Sequence, residues 1–288
     1  MVSRRALVFG ASGAIGRPLV GRLLAAGWQV EGLSREARPA GPGLRWHRGD
    51  FRHLPPLPVG CDAIFSCGPL DQFALWYAGA PCAAPRVVAF GSTSDATKVD
   101  AADPGERALA GRLREAGERL FAAAAMHGAG ATLLRPTLIY GRGSDANLGR
   151  IVGLARRLGV FVLPADAHGR RQPVHADDLA AAALAAVDAP AAIGQVFALP
   201  GGETLDYREM VARTLAVLTP RPKLLTVPAP AFALALRAAH AAGQVRGLPP
   251  GAVARMREDL VFDAGPAQAA FGYAPGPFRP EAAMFPGG

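Results

Sequence analysis

The most constraining feature of the sequence lies close to its N-terminus. Ala6-Leu7-Val8-Phe9 is a continuous apolar run, as expected of a short strand buried on both faces. Gly10-Ala11-Ser12-Gly13-Ala14-Ile15-Gly16 follows at once. Leu19, Leu23 and Leu24 then recur at helical spacing, and Gly27 is placed to end the helix. The pattern is strand, glycine turn, helix. Gly10 permits the tight turn, Gly13 lets a pyrophosphate approach the backbone, and Gly16 lets the helix pack close to the strand. Ser12, Ala14 and Ile15 add backbone N–H groups to the same turn, where a helix start attracts an anion.

Four more strands are predicted, at 29–33, 44–47, 63–66 and 87–90. They end respectively at Ser34-Arg35, at Gly49-Asp50-Phe51, at Cys67-Gly68-Pro69 and at Gly91-Ser92-Thr93-Ser94. Strands alternating with helical segments imply an α/β fold, a Rossmann-type doubly wound parallel sheet. Ligands in such sheets bind beyond the carboxyl ends of the strands, which gathers all these strand ends around one crevice. The second strand would meet an adenosine ribose. It has no acid at its tip to take the 2′-hydroxyl of NAD, whereas Arg35 suits a 2′-phosphate. NADP(H) is therefore the favoured cofactor and NAD(H) the alternative; the plainer reading of Arg35 is a surface arginine. The dinucleotide core is expected over residues 1–141, completed by segments near 172–202. Residues 142–171 and 203–288 are expected to build a smaller C-terminal substrate lobe. Its helices are predicted near 206–218, 230–242 and 250–260, and the stripe Phe232, Leu234, Leu236 reads as core.

Composition narrows the function. Half of the 288 residues are hydrophobic and 19% are charged, as in a folded chain. No apolar run is long enough to predict a membrane-spanning helix. Arg4-Arg5 before an apolar run mimics a signal peptide, but the run breaks at Gly10 and Gly13. The three cysteines, Cys61, Cys67 and Cys82, lack metal-ligand spacing, so no metal site is expected and a reducing, cytoplasmic setting is. The net charge of +8 comes from dispersed arginines, with only Lys98 and Lys223 as lysines. Without a clustered stripe, neither a nucleic-acid surface nor a membrane partner is expected; a small anionic substrate is.

With these residues in place, the chain resembles the extended short-chain dehydrogenase/reductase superfamily, the NAD(P)-dependent epimerase/dehydratase group. Gly10-x-x-Gly13-x-x-Gly16 looks like its glycine pattern, and Gly49-Asp50 like its adenine-contacting pair, with Phe51 beside it. Leu134-Arg135-Pro136-Thr137-Leu138-Ile139-Tyr140-Gly141 resembles the segment after its sixth strand, where Pro136 and Thr137 would line the nicotinamide. Arg171-Gln172-Pro173-Val174-His175-Ala176-Asp177-Asp178 resembles its later strand-to-helix motif, with the acidic pair read as a helix cap. The tail around 259–263 and 271–273 is similar as well.

One departure is large. The resemblance implies a Tyr-x-x-x-Lys proton relay on the helix after the fifth strand, here near 105–127. Ala110 and Arg114 stand at those positions. The tyrosines are Tyr77, Tyr140, Tyr207 and Tyr273, and none has a lysine four residues on. Ser92 and Thr93 match the place of the family's hydroxyl that bonds the reacting oxygen. Lys98 is a candidate to support a proton path, the plainer reading being an exposed loop lysine. Tyr140, taken to end the sixth strand on the crevice side, is the candidate substitute donor, against a buried tyrosine tied to backbone. Arg171 would contact a substrate diphosphate, and Asn147 would face substrate. The resemblance implies an NADP(H)-dependent oxidoreductase or epimerase acting on a carbonyl or carbinol of a sugar nucleotide or similar anionic metabolite. The missing relay keeps open a non-catalytic NADP(H)-binding sensor or scaffold. A homodimer is common in the superfamily and stays open.

Overall fold

A computed structural model of the chain describes residues 3–80, 84–141, 146–241 and 251–285. The elements run β1 (Arg5–Phe9), α1 (Gly16–Ala25), β2 (Gln29–Ser34), β3 (Leu44–Arg48), β4 (Ala63–Ser66), α2 (Leu70–Ala78), β5 (Arg86–Phe90), a one-turn α3 (Ser94–Thr97), α4 (Pro104–Met126) and β6 (Gly130–Pro136). Then come β7 (Ile139–Tyr140), α5 (Ala146–Leu158), β8 (Val160–Pro164), β9 (Arg170–Arg171), β10 (Val174–His175), α6 (Ala176–Asp188), β11 (Gln195–Leu199), β12 (Leu205–Asp206), α7 (Tyr207–Ala216), β13 (Lys223–Val227), α8 (Ala229–Ala241), α9 (Gly251–Arg255) and α10 (Gly265–Phe271).

Seven strands form one parallel sheet in the order β11-β6-β5-β4-β1-β2-β3. The chain winds outward from β1 through β2 and β3, then returns to β4 and winds the other way. The reversal lies between β1 and β4, and a crevice opens beyond their carboxyl ends. The period of two in a strand divides the core. Ala6 and Val8 pack with Leu19, Leu23, Leu179 and Ala183 on one face, under α1 and α6. Leu7 and Phe9 pack with Ile64, Phe73 and Leu120 on the other, with α2 and α4. A third apolar cluster, including Tyr140, Leu148, Leu163, Met210 and Phe278, forms around α5, α7 and β8.

Four local expectations are corrected. The sixth strand stops at Pro136, and Tyr140 belongs to β7, which pairs in parallel with β10. The cap of α6 is His175, whose Nδ1 accepts from the N–H of Asp177 at 3.2 Å; Asp178 instead accepts from the N–H of Gly276 at 3.0 Å. The helix expected near 250–260 ends at Arg255. Its continuation spends its backbone elsewhere: Leu260 N–H donates to the Arg170 carbonyl, and the Met256 carbonyl accepts from Gly169 N–H. The α8 stripe is not core, because the helix packs mainly on β8 and leaves Leu234 70% exposed. Among the described residues, no helix is long and apolar enough to cross a membrane.

Candidate functional site

The glycine turn is sterically specified. Gly10 has φ 68°, and a Cβ there would lie 2.9 Å from both the carbonyl carbon and oxygen of Cys67. A Cβ on Gly16 would lie 2.0 Å from the Gly10 carbonyl oxygen. The turn is closed by Gly13 N–H donating to that same oxygen at 2.9 Å. The ends of β1 and β4 therefore touch backbone to backbone and leave a cradle at the start of α1, with Ser12, Ala14 and Ile15 in the connecting turn. Gly68 and Pro69 continue from β4 into α2. Burial pushes the Cys67 thiol up to about 12, which disfavours its thiolate. Phe51 stacks on Phe9, with ring centroids 5.2 Å apart. Asp50 accepts the N–H groups of Arg52 and His53, which holds its carboxyl below the usual range and shapes the turn carrying Phe51.

At the end of β2 the arginine that folds inward is Arg38. Its Nε donates to the buried Ser34 hydroxyl at 3.2 Å, and its guanidinium lies 5.6 Å from the Trp46 ring centroid. Arg35 is exposed. The sequence carries a signal for Arg38 in its spacing of four from Ser34.

Beyond β5 and β6 a pocket of about 360 Å³ opens, lined in part by Ser92, Thr93, Lys98, Thr137, Arg171 and Arg255. The Thr93 hydroxyl donates to the Pro136 carbonyl at 3.2 Å, and that of Thr137 donates to the Gln172 carbonyl. Ser92 Oγ accepts Ser94 N–H at 3.1 Å, which leaves the Ser92 proton for a ligand. Below this rim Asp95 is buried, with Oδ2 2.6 Å from Arg135; burial raises its carboxyl above the ordinary value and Arg135 offsets part of the rise. Lys98 Nζ lies 3.3 Å from Glu106, whose other carboxylate oxygen bonds Arg255. Burial opposes the charge on Glu106, but Arg255 and Lys98 outweigh it and hold the carboxyl below its usual range.

Two expected site residues sit differently. Arg171 is 5% exposed and donates to the carbonyls of Arg170, Glu258 and Arg255 while stacking over Tyr207. Its two terminal nitrogens bond the chain's own carbonyls. Tyr140 is buried, donates to the Pro277 carbonyl at 3.3 Å and accepts Arg279 N–H at 3.1 Å. Burial raises its pKa, and it does not line the pocket, so its hydroxyl is tied to backbone instead of serving a crevice. Tyr140→Phe is expected to cost about 1 kcal/mol in urea unfolding while dinucleotide affinity stays unchanged by fluorescence titration. The Asn147 side chain lies outside the described residues. Ala110 is fully buried and Arg114 exposed, so α4 brings neither a tyrosine nor a lysine to the pocket. Glu106 and Arg255 join the pocket cluster without having been expected there.

Solved structures share this architecture. MoeE5, solved with UDP-glucuronic acid and NAD, matches with a TM-score of 0.67 at 19% identity, covering 97% of this chain and 95% of its own. Epimerase Mth375 from Methanothermobacter thermautotrophicus gives 0.66 at 14% identity, over 98% and 90%. TunA, an NAD-dependent NDP-hexosamine 5,6-dehydratase of tunicamycin biosynthesis, gives 0.66 at 15%, over 97% and 95%. This chain has their fold. The fold implied by the sequence resemblance is thus the fold observed. No protein-family model matches the chain, and no curated protein does.

Proposed function

We propose that the chain is an NADP(H)-dependent oxidoreductase or epimerase acting on a carbonyl or carbinol of a sugar nucleotide or similar anionic metabolite. The observation that carries the reading is the placement of the Ser92, Thr93 and Lys98 pocket at the carboxyl ends of β5 and β6, on the same end of the parallel sheet as the glycine cradle after β1. Fold neighbours solved with NAD and a UDP-sugar support its coarser part, a nicotinamide dinucleotide and a sugar-nucleotide substrate. A bound dinucleotide would donate or accept hydride at its nicotinamide. Gly10, Gly13 and Gly16 would make room for its pyrophosphate, and Pro136 and Thr137 would border the nicotinamide. Ser92 would hydrogen-bond the reacting oxygen, Thr93 would hold that loop to β6, and Lys98 would supply positive charge beside it. Ser34 and Arg38 would meet the ribose 2′-phosphate, with Arg35 at the mouth.

A second reading has its own support. Ala110, Arg114 and the committed Tyr140 hydroxyl leave the pocket without a tyrosine, as a non-catalytic NADP(H)-binding sensor or scaffold would permit. Nucleotide titration followed by turnover assays separates the two. NADPH is expected to bind at least about tenfold more tightly than NADH. Arg38→Ala is expected to remove most of that preference, since a charge-assisted contact is worth roughly 1.5–3 kcal/mol, and Arg35→Ala to remove less. Equal binding of both nucleotides would overturn the cofactor preference. Tight binding with no turnover across nucleotide-sugar and other carbonyl substrates would favour the sensor.

A further inference from the structure

We infer that the pocket binds an oxyanion carried by the substrate, held between Lys98 and Arg255, with Glu106 as the counter-ion it must share or displace. The inference rests on reading the pocket as the substrate site.

Charge count and geometry carry it. Lys98 follows α3 and Arg255 ends α9, so the two cations approach from separate parts of the fold. Both line the pocket, and both are only 20% exposed. Both converge on Glu106, itself 10% exposed. Two cations thus share one carboxylate, in surroundings where partial burial makes an unbalanced charge costly. Arg171 adds a third guanidinium to the same wall, bonded to neutral carbonyls, with Glu258 and Asp259 offsetting its charge from outside the pocket. Among the described residues lining the pocket, none is acidic. An incoming oxyanion restores the balance, and the hydroxyls of Ser92, Ser94 and Thr97 supply further donors around it.

Glu106 is also diverted from a local duty. It is the third residue of α4, where a glutamate commonly reaches back to the N-cap N–H and completes a reciprocal pair. The first half of that pair is made, because Asp103 accepts Glu106 N–H at 2.9 Å. The Glu106 carboxylate turns instead to Lys98 and Arg255. Its role is to position the two cations while no substrate anion is present, and it competes with that anion for their N–H groups.

This predicts an effect of unusual sign. The full chain, saturated with NADPH, would be titrated by calorimetry with D-glucuronate, glucose 1-phosphate and D-glucose. The two anions are expected to bind at least about tenfold more tightly than glucose. Lys98→Gln and Arg255→Gln should each erase most of that advantage. Glu106→Gln, isosteric and able to keep hydrogen bonds, should tighten both anions about fivefold and leave glucose unchanged. A loss of fold would weaken every ligand, so thermal melting and NADPH affinity are followed in parallel, and Arg255→Lys serves as the charge-keeping control. Stronger binding of glucuronate assigns the oxyanion to a carboxylate; stronger binding of glucose 1-phosphate assigns it to a phosphate. Anions that bind no better than glucose, or a Glu106→Gln variant that binds them equally or less well, overturn the inference. The series is repeated without nucleotide. If NADPH fails to bind but the anion pattern holds, the cofactor reading falls and the oxyanion site stands; if NADPH binds and the pattern is missing, only the oxyanion site falls.

Discussion

Gly16→Ala is expected to abolish dinucleotide binding. The added methyl would sit 2.0 Å from the Gly10 carbonyl oxygen, and that oxygen is backbone which already accepts the Gly13 N–H. Neither partner can yield without opening the turn. Overpacking of this kind costs about 1–3 kcal/mol, and moving α1 away from β1 also removes the N–H groups that would face a pyrophosphate. Together the two effects are expected to cost at least about 2.7 kcal/mol of binding, about 100-fold in NADPH affinity, since each 1.4 kcal/mol is about tenfold. Circular dichroism should show the sheet and most helices retained, because only Ala11 and Ile15 of the turn enter the first cluster and none of its residues enters the second. Binding within tenfold of the parent protein would mean that the cradle is not where a dinucleotide lies.

The second large effect concerns stability. Arg171→Met should destabilise the protein by about 3–5 kcal/mol, since each carbonyl left without its donor costs about 1–3 kcal/mol, read from the midpoint of urea unfolding. The methionine fills the volume but leaves the carbonyls of Arg170, Arg255 and Glu258 without their donor. Arg171→Lys is expected to recover less than half of the loss, because a single ammonium cannot span three carbonyls that a planar fork reaches. NADPH affinity should stay within about threefold, because the cradle lies at a different strand end. An Arg171→Met variant that keeps its stability but loses substrate binding would restore the diphosphate-binding role implied by the sequence resemblance.

The architecture was legible where its causes are local. The apolar run, three spaced glycines and a helical stripe suffice for β1, the turn and α1, because each step follows from neighbouring residues. Strand ends were legible for the same reason, and Ser92, Thr93, Lys98 and Thr137 do meet at one pocket. The losses have physical causes too. Ser34 does end β2, but the guanidinium that turns inward there belongs to Arg38 and not to Arg35, because the buried Ser34 hydroxyl offers it an acceptor. Tyr140 looked like a strand end until Pro136 closed β6 and the chain crossed to pair with β10. The Glu106–Arg255 bond joins residues 149 apart, and no local pattern announces it. Only the proline-glycine start of α4, with a glutamate at its third position, marked Glu106 as a residue with a choice of partners.

The way Arg171 holds its neighbours bears on how such a pocket diversifies. It grips carbonyl oxygens, and every amino acid carries one. The segment running from Arg255 through Leu260 to Phe262 is therefore fixed by its main chain, while its side chains form the pocket wall. Replacing those side chains alters what the wall recognises without loosening the wall itself. Substitutions in that short stretch can reshape the pocket while the glycine cradle and the sheet beneath it remain unchanged.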